Sequence, residues 1–243
     1  MKNFFLPGFI VLCIIFFAFV AFAADVVREE DTQYLAAVKA AQETPAEDAG
    51  KIDWANLRQL YFDTTFYEEH LGVVEVPNLY ALGKEASTGM DPTDIAMFRL
   101  MMQRHAANIG AHQIAYRIYK ESHPSFIDSA KEILAMRGLM NAIVKTGDGK
   151  SPATAFVAFT RGEEYAVVQG YLNLKIVEIK PQDGDRKTYD VFDAFNDNGD
   201  AFKVYFDVTR RTRRKNEVAK ALQAEQAKEE PKAATDKPAA AHP

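Results

Sequence analysis

The spacing of apolar residues along the chain changes near Gly147 from a helical period to a strand-like one. Before that point, Trp54, Leu57 and Tyr61 recur at the i, i+3 and i+7 spacing of one helical face. After it, short apolar runs and alternating apolar and polar residues predict β-strands. The pattern therefore divides the chain into a helical part followed by a sheet part.

Capping residues predict where helices of the first part begin. Asp91 precedes Pro92, which is the favoured order of an N-cap and a first helical residue. Two further amphipathic segments, residues 111–121 and 124–144, follow after short joins. Consecutive helices with joins of this length pack as antiparallel hairpins.

Four segments of the second part have strand character, namely residues 154–160, 174–181, 187–195 and 201–209. The turn residues 196–199, with the letters NDNG, predict a hairpin between the last two. Thr160 and Glu163 have the spacing of a capping box, which predicts a helix between the first two strands. We therefore expect an α+β fold, in which N-terminal antiparallel helical hairpins are followed by a small, mostly antiparallel sheet with one inserted helix.

The same patterns predict five consecutive segments. These are a signal peptide (1–23), a polar helical or linker segment (24–50), a helical part (51–146), a sheet part of the same folded unit (147–209), and a basic and then low-complexity tail (210–243). The tail lacks aromatic residues, so it cannot bury enough apolar surface to form a core of its own. We expect a helix in its first half and disorder in the rest.

The first 23 residues have the features of a secretory signal. Lys2 precedes an apolar run over residues 4–22, and Ala21 and Ala23 occupy the small-residue positions of a cleavage site. We expect cleavage after Ala23 and a periplasmic or secreted protein. An uncleaved membrane anchor is the alternative, since a span needs roughly 17–25 apolar residues. The single cysteine, Cys13, lies in this segment, so the mature chain would form no disulfide.

Charge is unevenly distributed along the chain. The chain has 29 Lys and Arg against 34 Asp and Glu, and residues 24–209 hold 19 basic and 29 acidic side chains. An acidic body argues against nucleic acid as a partner. We expect membrane contact only through an uncleaved signal or through the basic run Arg210–Lys215.

The letters GDGKS, residues 147–151, resemble the end of a phosphate-binding loop. Such a loop needs another glycine five residues before Gly149, where this chain has Val144. It also needs a strand before it and a helix after it, and the predicted order here is the reverse. We therefore predict a tight joint in which Gly147 and Gly149 end a helix and Pro152 keeps Ser151 extended.

No residue pattern of a metal or cofactor site stands out, and we predict neither. The turn around Gly199 lacks the first and last carboxylates of an EF-hand, although Asp193, Asp197 and Asp200 leave a weak calcium site open. The histidines form no His-Glu-x-x-His motif, and the serine signatures of hydrolases are absent.

Four stretches together resemble the bacterial exported family catalogued as domain of unknown function 4919, over about residues 50–209. They are IDWANLRQLYFDTTFY, IGAHQIAYRIY, RGLMNAIVKTGDGKSPATAFVAFTRGEEYAVV and FKVYFDV. The resemblance implies one folded unit and no assigned activity. It also implies that the family's pattern includes Trp54, Arg58, Tyr61, His112, Gly147, Asp148, Gly149, Lys150, Ser151 and Pro152.

From these residues we predict a candidate pocket lined by Trp54, Arg58, Tyr61, His112, Tyr116 and Glu164. The first hypothesis is a non-catalytic binding or interaction module with a protein partner on its helical half. The second is an enzyme with a pocket near His112 and the Gly147–Pro152 loop, in which His112 converges with Asp148 or Glu164. The third is a secreted toxin- or inhibitor-binding protein of the immunity type.

Overall fold

The computed structural model of the protein describes residues 28–69, 71, 76 and 78–233. The predicted signal peptide, its cleavage site and the final ten residues lie outside this range. Among the described residues, no helix combines the length and the apolar character that crossing a bilayer requires.

The described ranges contain nine α-helices. They are α1 (Glu29–Glu43), α2 (Trp54–Phe62), α3 (Thr65–Glu68), α4 (Leu79–Gly89), α5 (Pro92–Arg104), α6 (Ile109–Ser122), α7 (Ser129–Val144), α8 (Arg161–Tyr165) and α9 (Thr209–Ala233). A 3₁₀ turn (Ala46–Lys51) joins α1 to α2, a second (Pro152–Thr154) precedes the sheet, and a π-helix (Ala166–Tyr171) continues α8.

The helical part consists of packed helix pairs, as the sequence predicts. Helix α4 packs against α5, and α6 packs against α7. Phe98 and Ile118 belong to the core between α4, α5 and α6, while Leu139 of α7 joins a second core. That second core also contains Tyr34 from α1, which is fully buried. The segment predicted as polar, helical or linker therefore contributes a helix to the core.

Three predicted helix boundaries shift, and capping side chains explain the shifts. Asp91 caps α5 as predicted, but the helix ends at Arg104 because Asn108 caps the next helix, which begins at Ile109. Helix α7 begins at Ser129 and not at Pro124, because the Asp128 carboxylate accepts the first free amides of that helix.

The sheet has four strands in the order β1-β4-β3-β2. They are β1 (Phe156–Val157), β2 (Lys175–Asp183), β3 (Thr188–Phe195) and β4 (Ala201–Asp207). Strand β1 runs parallel to β4, and the other neighbours are antiparallel. The inner face of the sheet, with Phe156, Phe192 and Phe206, packs against α7 and the π-helix. The structure is therefore an α+β fold with one helical segment inserted in the sheet, as predicted.

The first predicted strand is much shorter than residues 154–160. The 3₁₀ turn occupies its beginning, and Thr160 caps α8 at its end. The capping box is present, since the Thr160 hydroxyl accepts from the Glu163 amide and the Glu163 carboxylate accepts from the Thr160 amide. The helix that it starts changes to a π-helix at Ala166.

The basic run after β4 forms part of the folded body. Helix α9 begins at Thr209, directly before this run, and Arg211 is almost fully buried. The guanidinium of Arg210 lies over the ring of Phe62, 4.6 Å from its centroid, and Arg214 forms an ion pair with Glu68. Three arginines of the predicted basic tail therefore hold α9 on the rest of the protein.

Candidate functional site

An apolar cavity of about 150 Å³ lies between the helical elements. Val38 of α1, Leu57 of α2 and Ala135 of α7 form part of its wall. Two residues of the predicted pocket, Trp54 and His112, line the same cavity. Trp54 and His112, which the family resemblance singles out, therefore lie close together in space although they are 58 positions apart in the sequence.

Trp54 packs closely against α7 because that helix has a glycine at the contact point. A Cβ built on Gly138 would lie 2.2 Å from the indole Nε1 of Trp54 and 2.3 Å from Cε2. Any larger residue would therefore collide with the ring. Gly138 lets the indole lie directly against the backbone of α7.

His112 is held at the cavity wall by hydrogen bonds on both ring nitrogens. Its Nδ1 lies 2.5 Å from a carboxylate oxygen of Glu132, and its Nε2 donates to the carbonyl of Ala106 at 2.8 Å. Burial lowers the pKa of His112, but the hydrogen bond and the charge of Glu132 outweigh it, so the pKa is raised. The Glu132 carboxylate therefore favours the protonated form of His112, to which it is joined by a short hydrogen bond.

Three further cavities neighbour the first, and each shares lining residues with the one before it, from α7 across to the π-helix. The second, of about 300 Å³, shares Trp54 and Leu134 with the first. The third, of about 430 Å³, shares Arg137 and Asn141 with the second. The fourth, of about 270 Å³, shares Gln113 with the third. We call these four neighbouring cavities the α7 groove.

The π-helix forms the far wall of the α7 groove. Ala166, Gly170 and Tyr171 line the third cavity, and Gln169 lines the fourth. Tyr171 is 55% exposed, which is a large value for an aromatic side chain. Short π-helical segments occur frequently at functional sites.

Arg58 and Tyr61 belong to the core under this region and not to the cavity wall. Arg58 forms a bidentate ion pair with Glu163, with distances of 2.7 and 2.9 Å. The hydroxyl of Tyr61 forms a 2.8 Å hydrogen bond with Nδ1 of His105, and burial raises its pKa. Both side chains therefore fix α2 to the rest of the fold.

Glu164 lies in a separate buried cluster beneath α9. Its carboxylate pairs with Arg161 at 2.7 Å and with Arg211 at 2.8 Å, and Asp190 contacts both arginines. Burial raises the pKa of Glu164 to about 8, with the neighbouring charge of Asp190 acting in the same direction and the two arginines opposing it. Glu164 therefore contacts neither His112 nor the cavity.

The remaining member of the predicted pocket, Tyr116, is half-buried on α6 and lines none of the four cavities. The structure therefore brings Trp54 and His112 together at one cavity and assigns Arg58, Tyr61 and Glu164 to core contacts. The predicted convergence of His112 with Asp148 or Glu164 is wrong, because Glu132 occupies that position.

The loop Gly147–Pro152 forms a tight joint between α7 and β1, and its amides bond within the loop. The amides of Asp148 and Gly149 both donate to the carbonyl of Thr154, at 3.0 and 2.8 Å. The amide of Lys150 donates to the Asp148 carboxylate at 3.0 Å. Gly149 has a φ of +69°, which favours glycine. These bonds occupy amides that a phosphate group would need, as expected for a joint.

The acidic residues at the β3–β4 turn form ion pairs with lysines. Asp193 pairs with Lys203 at 2.5 Å and with Lys180 at 3.3 Å, and Asp197 pairs with Lys175 at 2.9 Å. Within the described part of the chain, no group of three or more acidic, histidine or cysteine side chains has a geometry suited to a metal ion.

Sequence reasoning missed Glu132 and Gly138, the two residues that position His112 and Trp54. Glu132 lies in the first turn of α7, where an acidic residue is ordinarily explained by the helix dipole. Only Gly138 could have been found from the sequence, because a glycine inside an otherwise helical segment indicates that another group packs closely there.

Comparison with known proteins gives one match. The family model DUF4919, described as a domain of unknown function, matches residues 46–217. No curated protein and no solved structure matches the chain. The matched range covers α2 through the start of α9, including most of the lining of the α7 groove. The chain therefore belongs to the DUF4919 family.

Proposed function

We propose that this protein is an exported, non-catalytic binding module that holds a protein partner in the α7 groove. The observation that carries the proposal is the series of four neighbouring cavities between the helical part and the inserted helix of the sheet part, with Trp54 lining the first two. An open groove with an aromatic residue at its wall is a common form of peptide- and protein-binding surface.

The state of the ionisable groups beside the groove also supports binding over catalysis. A general base must present a free nitrogen or oxygen to its substrate. Both nitrogens of His112 are already engaged, one by Glu132 and one by the Ala106 carbonyl. The pair therefore fixes the groove wall, since proton transfer to a ligand would first require breaking one of these bonds.

The proposal is tested by placing a photo-crosslinking amino acid at single positions. Leu134 lines both cavities beside Trp54, whereas Leu100 is 40% exposed on α5 and lines none of the four cavities. The variants are expressed in the native host with the complete chain, and adducts are analysed in the exported fraction. We expect one discrete protein adduct from position 134 and none from position 100.

Two outcomes would contradict the proposal. Identical adducts from both positions would mean that the labelled protein forms only non-specific contacts. Recovery of the protein solely from the cytoplasmic fraction would remove the exported location, and N-terminal sequencing of the exported form would show whether cleavage follows Ala23.

A further inference from the structure

The exposed side of α7, together with its C-cap residue, carries three cations that form no ion pair with any described residue. They are Lys131, Arg137 and Lys145, and each lines at least one cavity of the α7 groove. Residues 24–209 hold 29 acidic and only 19 basic side chains. In a body with this excess of acid, three unpaired cations on one helix create a local positive strip.

Four side-chain amides lie along the same groove. Gln42 lines the first cavity, Asn141 the second and third, Gln113 the third and fourth, and Gln169 the fourth. Among the described contacts, none of these amide groups makes a side-chain hydrogen bond. An amide group offers both donors and an acceptor, which is the complement of a peptide group.

The dimensions also favour an extended chain. Lys131 and Lys145 are separated by 14 helical positions, which corresponds to about 21 Å at the usual helical rise. About six residues of extended peptide cover that distance. The first cavity, of about 150 Å³, has the size that holds one benzene-sized group. It therefore fits one apolar side chain better than a long acyl tail.

From these features we propose that the α7 groove binds an extended, acidic peptide segment of the partner, with one apolar side chain in the cavity beside Trp54. Carboxylates of the segment pair with Arg137, Lys145 and Lys131, and its peptide groups bond to the groove amides. This inference rests on the proposed function, because it names the chemistry of the partner at that same site.

Trp54 provides a direct reporter, because it is the single tryptophan of the chain and lies between the first two cavities. The mature protein is titrated with capped hexapeptides while tryptophan emission is recorded. The probes alternate leucine with glutamate, with glutamine or with lysine, and dodecanoate serves as a single-chain anionic amphiphile. We expect a saturable change of emission with the glutamate peptide and at least tenfold weaker binding of the lysine peptide.

Charge substitutions test the positive strip. The double variant Arg137→Gln and Lys145→Gln is expected to bind the glutamate peptide roughly tenfold more weakly, since two exposed charge pairs are lost. Raising the salt concentration should weaken the wild-type complex more than the variant complex. Arg99→Gln with Lys120→Gln is the matched control, because these helical cations also pair with no described residue but line none of the four cavities.

The outcomes separate this inference from the proposed function. Equal binding of the glutamate, glutamine and lysine peptides, or saturable binding of dodecanoate alone, overturns the acidic-peptide inference. If none of the peptides binds but position 134 still gives a discrete protein adduct, the binding function stands and the peptide chemistry is wrong. If no peptide binds and position 134 gives no discrete adduct, both the acidic-peptide inference and the proposed binding function are wrong.

Discussion

At the scale of single residues, the candidate site depends on one missing side chain. Gly138 has no Cβ, so the indole of Trp54 lies against the backbone of α7 and separates the first two cavities. His112 is positioned in a comparable way by Glu132, through a 2.5 Å hydrogen bond. Both contacts join residues from different helices, so the groove forms only when the helices pack.

We expect Gly138→Ala to displace Trp54 and shift its fluorescence emission. The added methyl group would meet the indole at about 2.2 Å, so the ring must move away from α7. Overpacking costs typically about 1–3 kcal/mol, partly offset by the higher helix propensity of alanine, which is about 1 kcal/mol. The measurements are the emission spectrum and a urea unfolding curve.

Gly89→Ala is the control for this substitution, because no atom lies within 4 Å of a Cβ built at that helical glycine. It should leave the Trp54 emission unchanged. An unchanged spectrum and unchanged stability of Gly138→Ala would show that the indole does not rest on α7.

Sequence reasoning identified Trp54 and His112 but not the residues that position them. A family resemblance marks conspicuous aromatic and histidine positions, whereas Glu132 and Gly138 carry no distinctive motif. Their roles arise from the packing of α6 and α2 on α7, which no local pattern contains. The same reason separates Glu164 from the predicted pocket, since its arginine partners come from α8 and from the distant α9.

At the scale of secondary-structure elements, α9 illustrates how a polar segment becomes attached to a fold. Most of the side chains that the structure describes in this helix are exposed, and its apolar content is low. Its first turns are held by arginines, with Arg211 in the buried cluster and Arg214 on Glu68. Electrostatic and cation–π contacts therefore take the role that apolar residues have in the other helices.

We expect Arg211→Gln to destabilise the protein by about 3–5 kcal/mol, because it leaves Glu164 and Asp190 with only Arg161 as a cation. Chemical denaturation followed by circular dichroism measures the loss. Lys215→Gln provides the control, since this exposed residue of the same helix makes no ion pair with a described residue. Equal stability of the two variants would show that the buried cluster does not anchor α9.

Element types were predictable from the sequence to a large extent, and element ends were not. The Asp91 cap, the capping box at Thr160 and the turn at 196–199 each have a local sequence signature, and each is present. Strand β1 is short because only two residues reach a parallel ladder with β4, a pairing between distant segments. The π-helix also lacks a local signature, because its extra residue is accommodated by packing against α7.

At the scale of the whole molecule, the net charge is −5, and the main buried charged side chains form ion pairs with one another. The ion pair of Arg58 with Glu163 joins the helical part to the sheet part, and the pairs of Arg211 with Glu164 and Asp190 join α9 to the sheet part. Breaking one member of such a group leaves an uncompensated buried charge. The stability of the molecule should therefore respond to pH through the buried groups whose pKa is shifted.

We expect the free energy of unfolding to fall as pH rises from about 5 to about 9. The pKa of Glu164 is raised from 4.5 to about 8 by burial, and the pKa of His112 is raised above 6.5 by Glu132 despite its burial. The folded state thus holds both protons more tightly than the unfolded state. The contribution of the two groups to the free energy of unfolding is complete below their pKa values in the unfolded state. It is lost as pH rises through their pKa values in the folded state, with a slope of at most about 1.4 kcal/mol per pH unit for each group.

Urea unfolding between pH 5 and 9 measures this slope, and two substitutions assign it. Glu164→Gln removes one titrating group and should flatten the slope at and below pH 8, while Glu132→Gln removes the charge that raises the pKa of His112 and should flatten it above pH 6.5. Glu30→Gln, on an exposed residue of α1, should leave the slope as in the wild type. A free energy of unfolding that rises between pH 5 and 8 would mean that Glu164 stays ionised beside its two arginines. In that case ion pairing would stabilise the charged form of Glu164 by more than burial destabilises it.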